Sequence, residues 1–137
     1  MALSVNYLYM LIAAITSFIL GWLWYGPLFG KLWLKLNGKN PSKMKKPKNS
    51  EMVKSITLSF LGTLVMVYIF SILMFLTGAY NFAGIILLSV LLWLGFFVCT
   101  TLLGNVLWDM KPWSLFFLNS AYWLVNLILI GTILVSF

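Results

Sequence analysis

Every charged residue of this chain lies in one of two short windows, 31–54 and 109–111, and the rest carries none. Eight of the nine lysines and Glu51 occupy the first window; Asp109 and Lys111 occupy the second. A soluble domain needs a charged skin, and here 63% of the 137 residues are hydrophobic and only 8% charged. Ordinary soluble domains run at roughly 45–50% and about 25%. The apolar blocks therefore call for lipid as their solvent, and the length allows one domain.

Four charge-free stretches reach the length of about 20 residues that a helix needs to cross hydrocarbon. They run over about 3–25, 56–77, 82–104 and 113–135. Unpaired backbone polar groups in lipid cost several kcal/mol each, so continuous apolar runs imply helix rather than strand. The expected fold is an all-α membrane protein, a four-helix transmembrane bundle forming a single domain over 1–137. Gly26-Pro27 is expected to stop the first helix, because proline lacks an amide hydrogen and clashes with the preceding turn. Gly78–Asn81 reads as a tight turn, and Pro112 as a first-turn residue of the last helix. The first stretch lacks a basic leader and a small-residue cleavage site, so it reads as a span and not as a signal peptide.

Lysine placement sets the expected orientation. The loop after the first span and the loop carrying Lys111 must face the same side. That side is expected to be the cytoplasm, with both termini outside. Trp22, Trp24, Tyr25, Trp33, Trp108 and Trp113 cluster at the inner interface on this reading; Tyr7, Tyr9 and Tyr80 lie at the outer one.

Lys31, Lys35 and Lys39 recur every fourth residue, away from Leu32, Trp33 and Leu36, as in a short helix lying along headgroups. Pro41 and Pro47 interrupt regular structure after it. Lys31, Lys35, Lys39, Lys43, Lys45, Lys46 and Lys48 are expected to contact anionic headgroups, each gaining about 1 kcal/mol. The loop serves either as topology signal and lipid anchor or as a docking segment. The later lysines lack interleaved aromatics, so nucleic acid is not expected as a partner.

Matching residues by depth places Asn119, Tyr122 and Asn126 on one face of the last helix, and a buried amide there needs a partner. The lysine-side half of each span is the more polar: Ser17, Ser59 and Thr63, then Cys99, Thr100 and Thr101, then Asn119 and Ser120. This pattern fits a cavity open to the cytoplasm, and equally fits close helix packing through small residues. Thr101, Asn105, Trp108 and Asp109 read as one face at the end of the third helix. Asp109 is there either a cation or proton site, or a cap or ion-pair partner near Lys111. With no His, no Arg and a lone Cys99, the sequence offers no catalytic set, no metal cluster and no phosphate-cradling loop. Neither an enzyme nor a bound cofactor is expected. A bundle this small rarely encloses a pore alone, so a homo-oligomer is.

The strings Leu20-Gly-Trp-Leu-Trp-Tyr-Gly-Pro27 and Leu103-Gly-Asn-Val-Leu-Trp-Asp-Met-Lys-Pro112 both read Leu-Gly, Leu-Trp, Pro. They allow a parallel two-plus-two repeat, as they allow chance similarity.

The segment Gly21-Trp-Leu-Trp-Tyr-Gly-Pro-Leu-Phe-Gly-Lys-Leu-Trp33 is distinctive. With Leu107-Trp-Asp-Met-Lys-Pro-Trp113, Asn119-Ser-Ala-Tyr122 and Leu124-Val-Asn126, it resembles a family of small four-span bacterial membrane proteins catalogued only as a domain of unknown function. The resemblance implies that Trp24, Tyr25, Pro27, Gly30, Lys31 and Trp33 form the family motif. Gly26 stands where serine is commoner. Trp123 stands where histidine is expected, so no proton or metal role is carried to that position. The resemblance implies the fold and a location in a bacterial cytoplasmic membrane, and no activity.

Overall fold

The computed structural model describes residues 7–40 and 48–135, which are mostly helical, with no strands among them. Lys43, Lys45 and Lys46, and the side chain of Thr101, lie outside the described residues. Helix α1 (Tyr7–Leu23) continues through a π turn (Trp24–Leu28), and a short helix α2 (Gly30–Leu36) follows. Helix α3 covers Asn49–Thr77. Helix α4 (Phe82–Leu92) passes into a π segment (Trp93–Leu102) and ends as α5 (Leu103–Leu107). Helix α6 covers Trp113–Val135. Four continuous helical stretches, Tyr7–Leu28, Asn49–Thr77, Phe82–Leu107 and Trp113–Val135, are long and apolar enough to cross a membrane.

The last helix has the expected limits, but Pro112 precedes it instead of sitting in its first turn, its carbonyl accepting from the Leu115 and Phe116 amides. Three other expectations are corrected. Pro27 does not stop the first helix. The ring would collide with the carbonyl four residues back, and the chain widens by one residue instead, so that the Phe29 amide donates to the Trp24 carbonyl at 2.9 Å. The second spanning helix starts at Asn49 rather than near residue 56, because a helix need not end where the bilayer does. The third carries ten residues of π helix from Trp93, closed by the Leu103 amide on the Val98 carbonyl.

The suggested repeat finds no support in conformation. Pro27 is inside a π turn, whereas Pro112 lies outside any helix.

The turn between α3 and α4 is tight, as expected. Gly78 caps α3 at φ +71°, a backbone region that glycine enters without penalty. Asn81 caps α4, its side-chain oxygen accepting from the Gly84 amide at 2.7 Å. Asn81→Ala is expected to cost about 1 kcal/mol of stability, read as a lower unfolding midpoint in mild detergent. Asn81→Asp should largely retain it.

The largest buried cluster lies in one half of the bundle, while Leu115 and Leu118 are buried apart from it toward the lysine-side end of α6. The cluster comprises Met10, Ala13 and Ala14 of α1, Val67, Phe70 and Met74 of α3, Ala79 of the following turn, Ile85 and Leu88 of α4, and Leu127 and Ile130 of α6. All lie toward the end remote from the lysines. The wholly covered Ala13 and Ala14 let backbones approach closely, which is how helices gain packing in lipid. Helix α6 is the central pillar, pairing with α1 and α4, while α3 leans on α1. From Asn49 to Ser59, α3 leaves every residue exposed, so its lysine-side half stands away from the bundle.

Candidate functional site: a cleft between α1, α3 and α6

The departure of α3 opens a cleft of about 400 Å³. One wall is a row on α1 and its π turn, Ser17, Gly21 and Tyr25, spaced by four residues. The facing wall is a row on α3 with the same spacing, Ser55, Ser59 and Thr63. Residues four apart share a helix face, so each row presents small or hydroxyl-bearing groups to the gap. Tyr122, Trp123 and Asn126 of α6 form the back. Phe18 on α1 meets Phe60 on α3 edge-on at 5.9 Å, near where the two helices come together.

At its deep end Ser17 donates a hydrogen bond to the Asn126 side-chain oxygen at 2.6 Å. Both residues are buried, at 2% and 1% exposure. This is the partner that an amide inside a bundle requires. The bond should couple the two helices by about 0.6 kcal/mol. A double-mutant cycle of Ser17→Ala and Asn126→Leu, read by unfolding in detergent, checks that coupling; strict additivity would exclude it.

Aromatic side chains line the lysine-side half. Tyr122 contacts Tyr25, Trp123 and Trp24 at ring distances of 5.0, 5.2 and 6.0 Å, none of them face to face. Such tilted contacts follow the ring quadrupoles. Gly21 makes room for this arrangement: a Cβ there would stand 2.9 Å from the Tyr122 hydroxyl oxygen. Tyr25 in turn donates to the Asn119 side-chain oxygen at 2.7 Å, and its ring meets Trp33 edge-on at 6.1 Å. Farther round, Trp123 stacks on Phe97 at 4.8 Å, and Trp93 donates its indole N–H to the Ser120 carbonyl at 2.7 Å. The two π segments are thus tied to α6 through their aromatic side chains. The Trp24 indole nitrogen is buried without a hydrogen-bond partner.

Of the residues singled out by depth, Ser59, Thr63, Tyr122 and Asn126 come together on the cleft, and Asn119 stands behind Tyr25. Thr63 already donates to the Ser59 carbonyl at 2.9 Å. The remainder do not join them. Thr100 is exposed and donates to the carbonyl of Phe96 in its own helix. Asn105 lies half-buried on α5. The third helix ends at Leu107, so Trp108 and Asp109 fall in the following turn and share no helical face with Asn105. Both are exposed, and Met110 next to them adopts φ +57°. Ser17, Gly21, Tyr25 and Ser55 complete the cleft walls. Their four-residue spacing was visible in the sequence; the divergence that makes them face each other was not.

Among the described residues no Lys, Asp or Glu lines the cleft. Among the described residues no three Cys, Asp or Glu side chains assemble into a group that could hold a metal ion. The lining can donate and accept hydrogen bonds and can pack flat apolar surface, and it offers no fixed charge to pair with an ionic guest.

Four apolar helices of spanning length define an integral membrane protein of the all-helical, four-span class. The chain belongs to a family described as protein of unknown function (DUF1761), whose model matches residues 8–135. No curated protein and no solved structure matches it.

Proposed function

We propose that the protein binds a small uncharged solute in the cleft between α1, α3 and α6, and that a homo-oligomer passes it across the membrane. The observation that carries this reading is the lining. Two hydroxyl-bearing rows face each other, the Ser17–Asn126 pair closes the deep end, and no charged side chain among the described residues lines it. An unpaired charge moved into such a site would lose its hydration without compensation. A neutral guest with one or two polar groups loses little and gains contact with Tyr122, Trp123 and Met66.

The cleft opens at the lysine-rich end, the end that lysine counting assigns to the cytoplasm. Beyond Asn126 the packed core fills the space between the helices, so passage through one copy has no route. Passage along a surface shared by several copies does, which is the reason to invoke an oligomer. The reading is of a binding and permeation protein rather than an enzyme.

Solute uptake by proteoliposomes tests it. Small neutral solutes carrying hydroxyl or amide groups are expected to enter faster than in protein-free vesicles, and their charged analogues are not. Asn126→Leu should slow that uptake about tenfold, the equivalent of about 1.4 kcal/mol of binding. Uptake equal to that of empty vesicles, with binding of neutral solutes retained, would remove permeation and leave binding. Preference for charged over neutral solutes would remove the reading altogether.

A further inference from the structure

We infer that Lys31 and Lys35, together with the turn that ends α2, form a discrete site for the phosphate of an anionic lipid headgroup. This goes beyond a diffuse attraction of the whole basic loop to the membrane, and it does not depend on the cleft.

The shape comes from the backbone. Gly38 adopts φ +70°, a left-handed conformation that turns the chain back on the helix. The Gly38 amide donates to the Lys35 carbonyl at 3.1 Å, and the Lys39 amide to the Leu34 carbonyl at 2.9 Å. The returning chain borders a shallow, open concavity of about 530 Å³ lined by Lys31, Leu34, Lys35, Gly38, Lys39 and Asn40. Lys31 and Lys35 are one helical turn apart, so their ammonium groups reach the same space.

Electrostatics favour an anion there. Among the described residues no carboxylate lines the concavity. The last carbonyls of a helix ordinarily repel anions. Here those of Trp33, Leu34 and Lys35 already accept hydrogen bonds from Asn37, Lys39 and Gly38. Lys39 is anchored from behind, its ammonium 5.0 Å from the centre of the Trp33 ring, which holds the return segment in place.

Depth argues for a lipid as the source of the phosphate. Leu28 and Leu32 next to the site are 62% and 44% exposed. Such side chains belong in the acyl boundary, which sets Lys31 and Lys35 at headgroup level.

The test compares two double variants that remove equal charge, Lys31→Gln with Lys35→Gln, and Lys45→Gln with Lys46→Gln. Lipid retention is read by native mass spectrometry from neutral detergent, where no membrane surface potential contributes. The wild type and the second variant are expected to retain one phosphatidylglycerol, and the first to bind it about tenfold more weakly. Phosphatidylcholine, which carries a compensating cation, should bind weakly to all three. Gly38→Val keeps every lysine but opposes the left-handed turn, and it too should lose the bound lipid. Equal loss in the two double variants, or full retention in Gly38→Val, would overturn the site. Displacement of phosphatidylglycerol by millimolar inorganic phosphate would overturn the assignment to a lipid.

Discussion

Gly131→Ala is expected to lower the stability of the bundle by about 1–3 kcal/mol, the usual cost of forcing a methyl group into a filled core. A Cβ at this position would overlap the Ile85 side chain and stand 3.0 Å from the Phe70 ring. Ile85 is wholly buried and Phe70 nearly so, at 0% and 3% exposure, so neither has free space to retreat into. The glycine therefore marks the point where α3, α4 and α6 meet. Gly62→Ala supplies the control, since a Cβ there meets nothing within 4 Å. That variant should change stability by less than about 1 kcal/mol, and in the stabilising direction. Unfolding by denaturant in mild detergent checks both. Equal midpoints for the two variants would mean that the three-helix junction is not close-packed.

Gly30→Ala is expected to be at least as damaging, for a different reason. A Cβ on Gly30 would stand 2.7 Å from the Tyr25 carbonyl oxygen. That neighbour is backbone, so relief requires the π turn to rewind or α2 to swing out. Either movement withdraws Tyr25 from Asn119 and from the Tyr122 ring, and Trp33 from Tyr25. The expected outcome is a loss of roughly 2 kcal/mol together with weakened neutral-solute binding in the cleft. Gly26→Ala, where a Cβ meets nothing within 4 Å, should leave both intact. A Gly30→Ala protein with unaltered stability and binding would show that the widened turn is not needed to place Tyr25.

These two glycines also show how far a sequence of this kind can be read. The spans were legible because lipid imposes one rule on every backbone group inside it, and unbroken apolar runs satisfy that rule only as helix. The last span needed no adjustment. Asn49–Ser55 was missed as helix because its lysine, glutamate and serines read as loop, although a helix outside the bilayer is free to carry them. Pro27 reads as a terminator because the α-helix rule allows nothing else; a fifth-neighbour hydrogen bond is an option that the residue type alone does not announce. Depth matching picked out Ser59, Thr63, Tyr122 and Asn126, since polar groups inside a membrane gather where partners are found. It carried Thr100 and Asp109 along with them, because depth says nothing about direction round a helix or about where the third helix stops. The cleft itself arises from the angle between α1 and α3. That angle is fixed by contacts at the far end of both helices, and no stretch of sequence encodes it locally.

Packing α3 against the bundle only at the end remote from the lysines gives the molecule the mechanics of a clothes-peg, sprung at that end and loose-jawed between α1 and α3 at the other. The jaw angle should then respond to whatever squeezes the lysine-bearing leaflet. A thinner or more tightly curved bilayer would press Ser55 and Ser59 toward Gly21 and Tyr25, and a thicker one would let them part. Amide exchange ought to be graded accordingly, slowest around Val67 and Ile130 and fastest along Asn49–Ser59, with lipid thickness altering only the fast end.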